Sequence, residues 1–117
     1  MDELIGRLVA SVGVDRTTAE QAVAIILEFL MKEGPSDKVK ALFDKMPGAE
    51  LLVQSVDGES GGMGGIMGAG TRMMSAGLDM GQIQAVTRET IAYARAQAGE
   101  DLVGEVVGAI PGLGQFL

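Results

Sequence analysis

The chain reads as an all-α protein made of two tandem three-helix units packed as one helical bundle, and three observations predict it. Shifting the sequence against itself by 64 positions without gaps lays Ser11-Val-Gly13-Val14-Asp15 on Ser75-Ala-Gly77-Leu78-Asp79 and Met46-Pro47-Gly48 on Ile110-Pro111-Gly112. Between those landmarks Leu27 falls on Ile91, Phe29 on Tyr93, Asp37 on Asp101, Val39 on Val103 and Phe43 on Val107, so helix ends and apolar positions repeat together. The apolar residues recur at helical spacing, with no alternating strand pattern.

In the first unit Asp2 is an N-cap candidate, and Leu4, Ile5, Leu8, Val9 and Val12 form one stripe that halts at Gly13, a residue that readily takes the left-handed C-cap conformation. Thr17 with Glu20 has capping-box form, and the helix it opens carries Ala19, Ala22, Val23, Ile26, Phe29 and Leu30 until Gly34-Pro35 ends it. Ser36 then caps a helix bearing Val39, Leu42, Phe43 and Met46, which Pro47 stops because proline disfavours helical geometry in the residue before it. Residues 48–56 add a short fourth helix.

In the second unit Asp79 with Gln82 repeats the capping-box form ahead of Ile83, Val86, Ile91 and Ala94. Thr87, Arg88, Glu89 and Thr90 replace the apolar Val23-Ala-Ile-Ile26, which predicts a more solvated copy. The last helix carries Leu102, Val103, Val106, Val107 and Ile110, with Gly104 and Gly108 four apart; that spacing predicts a tight helix crossing.

The whole chain, 1–117, reads as a single domain: repeat one 1–53, a Gly/Met-rich connection 54–70, and repeat two 65–117. Neither half alone buries enough apolar surface to be comfortably stable, so each is expected to complete the other's core. Residues 61–70 hold six glycines and read as a loose linker entering a glycine-weakened helix. A phosphate cradle is a poor fit there, since no Gly-Lys-Ser/Thr follows and no strand precedes it.

Nine basic residues against 16 acidic ones give a net charge of −7, which disfavours nucleic acid because a phosphate backbone needs clustered Lys and Arg. Without His or Cys the chain lacks the usual neutral-pH acid/base and any thiolate. The adjacent acids Asp2-Glu3 and Glu100-Asp101 lie at helix starts, where they oppose the helix dipole without doing chemistry. No catalytic residue, cofactor site or metal site is expected, and the enzyme class is read as absent. The acidic start and the lack of a 20-residue apolar run predict a cytoplasmic protein with no transmembrane segment.

These features point to a non-catalytic interaction or structural module able to self-associate. A second reading is an apolar-ligand or lipid-binding groove between the repeats, lined by Met67, Met73, Met74, Ile83 and Val86, because flexible methionines adapt to apolar partners. A third is peripheral membrane contact through the Gly/Met tract and residues 110–117, opposed by the chain's acidity. Arg88, Glu89 and Tyr93 are candidates for a surface contact.

The opening Met1-Asp-Glu-Leu-Ile-Gly-Arg-Leu8, the Val12-Gly-Val-Asp15 junction, the Lys32-Glu-Gly-Pro-Ser-Asp-Lys-Val-Lys40 break and the closing Val107-Gly-Ala-Ile-Pro-Gly-Leu-Gly114 resemble a small bacterial family of helical domains of unknown function. More loosely, the repeated Gly-Val/Leu-Asp start and Met/Ile-Pro-Gly end are similar to the VcgC/VcgE-like bacterial proteins. The resemblance implies a helical fold and brings no activity, cofactor or site residue with it.

Overall fold

The computed structural model describes residues 2–55, 65–110 and 112–116. Among them run seven α-helices: α1 (Asp2–Val12), α2 (Arg16–Glu33), α3 (Ser36–Asp44), α4 (Ala49–Ser55), α5 (Gly65–Ser75), α6 (Met80–Ala98) and α7 (Glu100–Ala109), followed by a 3₁₀ turn at Leu113–Phe116. No described residue is in a strand. The linker reading for residues 56–64 lies outside the described residues.

Acceptor side chains and left-handed glycines set the helix ends. Asp15 and Asp79 are the N-caps of α2 and α6, accepting the amides of Thr18 and Gln82 at 2.8 Å each. At Asp79 the capping box is complete, because the Gln82 side chain accepts the Asp79 amide in return. The box expected from Thr17 and Glu20 is replaced by Asp15 acting two residues earlier. Nor does Ser36 cap α3; it is the first helical residue, after Pro35. Gly13 and Gly77 close the turns after α1 and α5 with φ of +81° and +108°, and Gly48 and Gly112, which follow Pro47 and Pro111 in sequence, have φ of +92° and +86°.

The centre of the fold is α2, which packs against α1, α3, α4, α5 and α6. Every residue from Ala22 to Leu30 is buried, as a helix surrounded by neighbours requires. Packing crosses between the halves: α1 lies on α6 as well as α2, α5 lies on α2 as well as α6, and α3 meets α7. One hydrophobic cluster therefore runs from Leu4 and Leu8 through Leu27, Leu42 and Ile83 to Val106 and Leu113. Each fully buried Leu or Ile in it contributes roughly 1.5–3 kcal/mol relative to exposure.

Arg16 and Met80, the first residues of α2 and α6, are 64 positions apart, as are Ser36 and Glu100, the first of α3 and α7. Seven pairs separated by that interval are buried at both positions: Ala19 and Ile83, Ala22 and Val86, Val23 and Thr87, Leu27 and Ile91, Phe29 and Tyr93, Val39 and Val103, Leu42 and Val106; Ala24 and Glu28, in contrast, are buried where Arg88 and Ala92 are exposed.

The polar stretch of α6 is less solvated than its sequence suggests. Thr87 and Thr90 are buried, and each hydroxyl donates to a carbonyl one turn back in its own helix, Ile83 and Val86 respectively, at 2.8 Å. Gly104 and Gly108 make no tight crossing, since both are exposed and a Cβ added at either would meet nothing within 4 Å. Their spacing puts them on one face of α7, and that face is turned to solvent.

Candidate binding cleft

The chain turns back after α2 at Gly34, where a side chain would be crowded. The Gly34 amide donates to the Leu30 carbonyl at 2.9 Å, and a Cβ there would lie 2.8 Å from that oxygen and 2.8 Å from Val39 Cγ2. Pro35 then starts α3 across the end of α2, and the Met46-Pro47-Gly48 turn returns α4 against α2. Three helix segments splay apart at this corner. They enclose an open cleft of about 370 Å³.

Val39 and Phe43 on α3 form its nearly buried floor, while Met31 on α2, 47% exposed, and Val53 on α4 form apolar walls. Ser36 and Lys40, one helical turn apart on α3, bring a hydroxyl and an ammonium to one side, and Glu50 brings a carboxylate from α4. Lys40 and Glu50 form no ion pair among the described residues, whereas Lys38 is held by Glu105 of α7 at 2.5 Å. That contact raises the Lys38 ammonium above its ordinary value of 10.5, the hydrogen bond to Glu105 being the main cause and its charge the second.

A second depression of about 330 Å³ lies between α1 and the start of α4. It is more polar, with Asp2 and Glu20 at its edge, both bridged to Arg16 at 2.7 and 3.5 Å. Leu51, 72% exposed, stands beside it.

Of the residues expected to line a groove between the repeats, three are buried and one is exposed. Met73, Ile83 and Val86 are buried in the core, and a space of about 20 Å³ beside Met73 and Ile83 is shared with Ile26, Phe29, Ala69 and Thr87. Met74, next in sequence to Met73, faces solvent at 49% exposure. Adjacent residues on a helix point about 100° apart, so one of this pair packs and the other does not. Met67 is on α5, but its side chain lies outside the described residues.

The surface group is also divided. Arg88 is exposed and Glu89 half-buried, with Arg7 of α1 3.7 Å from the Glu89 carboxylate. Tyr93 is 5% exposed and belongs to the core, on the face of α6 that Phe29 occupies on α2, so it shares no surface with Arg88.

Sequence reading missed the cleft because its walls come from three separate segments. A 64-position offset of the sequence sets it apart: Met31, Ser36, Lys40 and Glu50 fall on Arg95, Glu100, Gly104 and Gly114. The floor residues Val39 and Phe43 have apolar counterparts, and the rim residues do not. Among the described residues no three acidic side chains converge in a way that could hold a metal ion, and no helix is long and apolar enough to cross a membrane. No family model, curated protein or solved structure matches this chain.

Proposed function

We propose that this chain is a non-catalytic helical binding module, built by tandem duplication of one three-helix unit, in which the cleft between α2, α3 and α4 is the recognition element. The observation that carries this reading is the cleft itself, whose volume of about 370 Å³ falls within the range of small-molecule sites, roughly 300–1,000 Å³. Its floor is apolar, and its few polar groups lie at the edge, as an orienting rim requires.

Duplication is supported by the 64-residue interval between helix starts, the matched burial and the crossed packing of α1 on α6 and α5 on α2. The module is read as cytoplasmic and as kin to the small bacterial helical family it resembles. Within the duplicated frame the cleft is specific to the first unit, because Arg95 replaces Met31 at the matching wall.

A methyl-resolved NMR titration with 1-decanol, a neutral apolar probe, tests the binding reading. Saturable shifts at Met31, Val39 and Val53, without shifts at Val103 or Val107, are expected. Shifts confined to Val103 and Val107, or none at all, contradict it. Self-association is a second reading, favoured by the exposure of Leu51; light scattering that shows a monomer at high concentration removes it.

A further inference from the structure

We propose that the cleft binds a medium-chain monocarboxylate, its alkyl tail on Val39, Phe43, Met31 and Val53 and its carboxylate at Lys40 and the Ser36 hydroxyl. This rests on the cleft being a binding site and adds the class of ligand.

The volume restricts the occupant. At roughly 30 Å³ per group, the space one water takes in the liquid, about 370 Å³ holds on the order of a dozen carbon-sized groups. A docked protein helix needs an interface of about 800 Å² on each partner, which a recess of this size does not offer. A single unbranched chain fits an open, largely apolar site of this volume between three helix segments.

Polarity at the rim restricts the headgroup. Both polar residues on the α3 side, Ser36 and Lys40, are hydrogen-bond donors, and the Lys40 ammonium has no ion-pair partner among the described residues. Glu50, on the opposite wall, lies in the first turn of α4, where a carboxylate already interacts favourably with the helix dipole. Glu50 has no ion pair among the described residues either, so the headgroup preference rests on the α3 edge, where Lys40 and Ser36 stand one turn apart. An anionic head is complementary to it, and the apolar floor leaves no buried polar group unpaired when a tail covers it.

The test compares decanoate, 1-decanol and decylammonium on the intact protein, each below its micelle concentration, by NMR and isothermal titration. Decanoate is expected to bind about fivefold more tightly than decanol, the scale of one exposed charge pair, and decylammonium more weakly than both. Lys40→Gln should abolish the advantage of decanoate over decanol, with unaltered circular dichroism. Across a series of carboxylates, affinity should rise up to about fourfold per methylene and level off near twelve carbons.

Decanol binding with decanoate no tighter, or a decanoate advantage that survives Lys40→Gln, overturns the headgroup assignment while the cleft stands as a binding site. Tighter binding of decylammonium overturns it in favour of Glu50. If none of the three perturbs Met31 or Val53, the binding reading and this inference fail together.

Discussion

The Glu28 carboxylate, 5% exposed in the middle of α2, accepts a hydrogen bond from Arg72 Nη1 of α5 at 2.5 Å. Lys32, one turn further along α2, is 3.5 Å from the same oxygen. A charge taken this far from water is costly unless paired, so the pair ties α5 to α2. Removing Arg72 alone should be severe: Arg72→Met is expected to lower unfolding free energy by roughly 3 kcal/mol, the lower end for breaking a buried pair, because Lys32 remains nearby. The double variant Glu28→Met/Arg72→Met should recover most of that loss. Urea denaturation of the wild type, both single variants and the double measures the coupling.

Gly34 and Gly6 should respond in opposite directions to alanine. At Gly34 φ is −89°, an ordinary value, so the penalty is steric and comes from the Leu30 carbonyl and Val39. Gly34→Ala should cost about 1–3 kcal/mol, the range for overpacking. Gly6 lies within α1 with open space around a Cβ, and Gly6→Ala should add up to about 1 kcal/mol through helix propensity. Thermal unfolding of both variants checks the pair.

Thr87 and Val23, 64 positions apart and both buried, suggest a core exchange. The Thr87 hydroxyl is spent on the Ile83 carbonyl of its own helix. Since that carbonyl already serves the helix ladder, Thr87→Val removes a buried polar group and orphans nothing. It is expected to preserve stability or raise it by up to about 1 kcal/mol; a loss beyond 1 kcal/mol in urea denaturation goes against the equivalence of the two sites.

Two exposed groups give stability a signed pH dependence. The Thr18 hydroxyl, and then its amide, hold the Asp15 carboxyl below its ordinary value of 3.8. Its contribution is therefore present above 3.8 and lost as pH falls through the lower folded value. Lys38 is raised above 10.5 by Glu105, so its contribution is full below 10.5 and lost as pH rises through the folded value. Asp15→Ala should flatten the acid limb of a melting-temperature profile and leave the alkaline limb unchanged, and Lys38→Gln should do the reverse.

Helix ends were legible because they depend on neighbours in sequence: Asp15 and Asp79 accept amides three residues on, and Gly13 and Gly77 take the left-handed turn. Interactions between distant segments were not. Glu28 reads in sequence as an interruption of an apolar run, and its partner lies 44 residues away. Helical spacing groups Gly104 with Gly108 without saying which face meets the core, so both ended in solvent. Tyr93 stands near Arg88 in sequence yet points the other way, and only its alignment with Phe29 signals burial. The cleft needed the backward turn at Gly34 and the return of α4, neither of which leaves a contiguous motif.

One hydrophobic cluster joins α1–α4 to α5–α7 in a single interior. Native-state hydrogen exchange of the whole protein, followed residue by residue in α2 and α6 as denaturant is raised, tests this most directly. If each unit completes the other, the slowest amides around Leu27 and around Ile91 should exchange through one opening with the same free energy and the same denaturant slope. Exchange of α6 through a separate, lower-energy opening while α2 stays protected would contradict it.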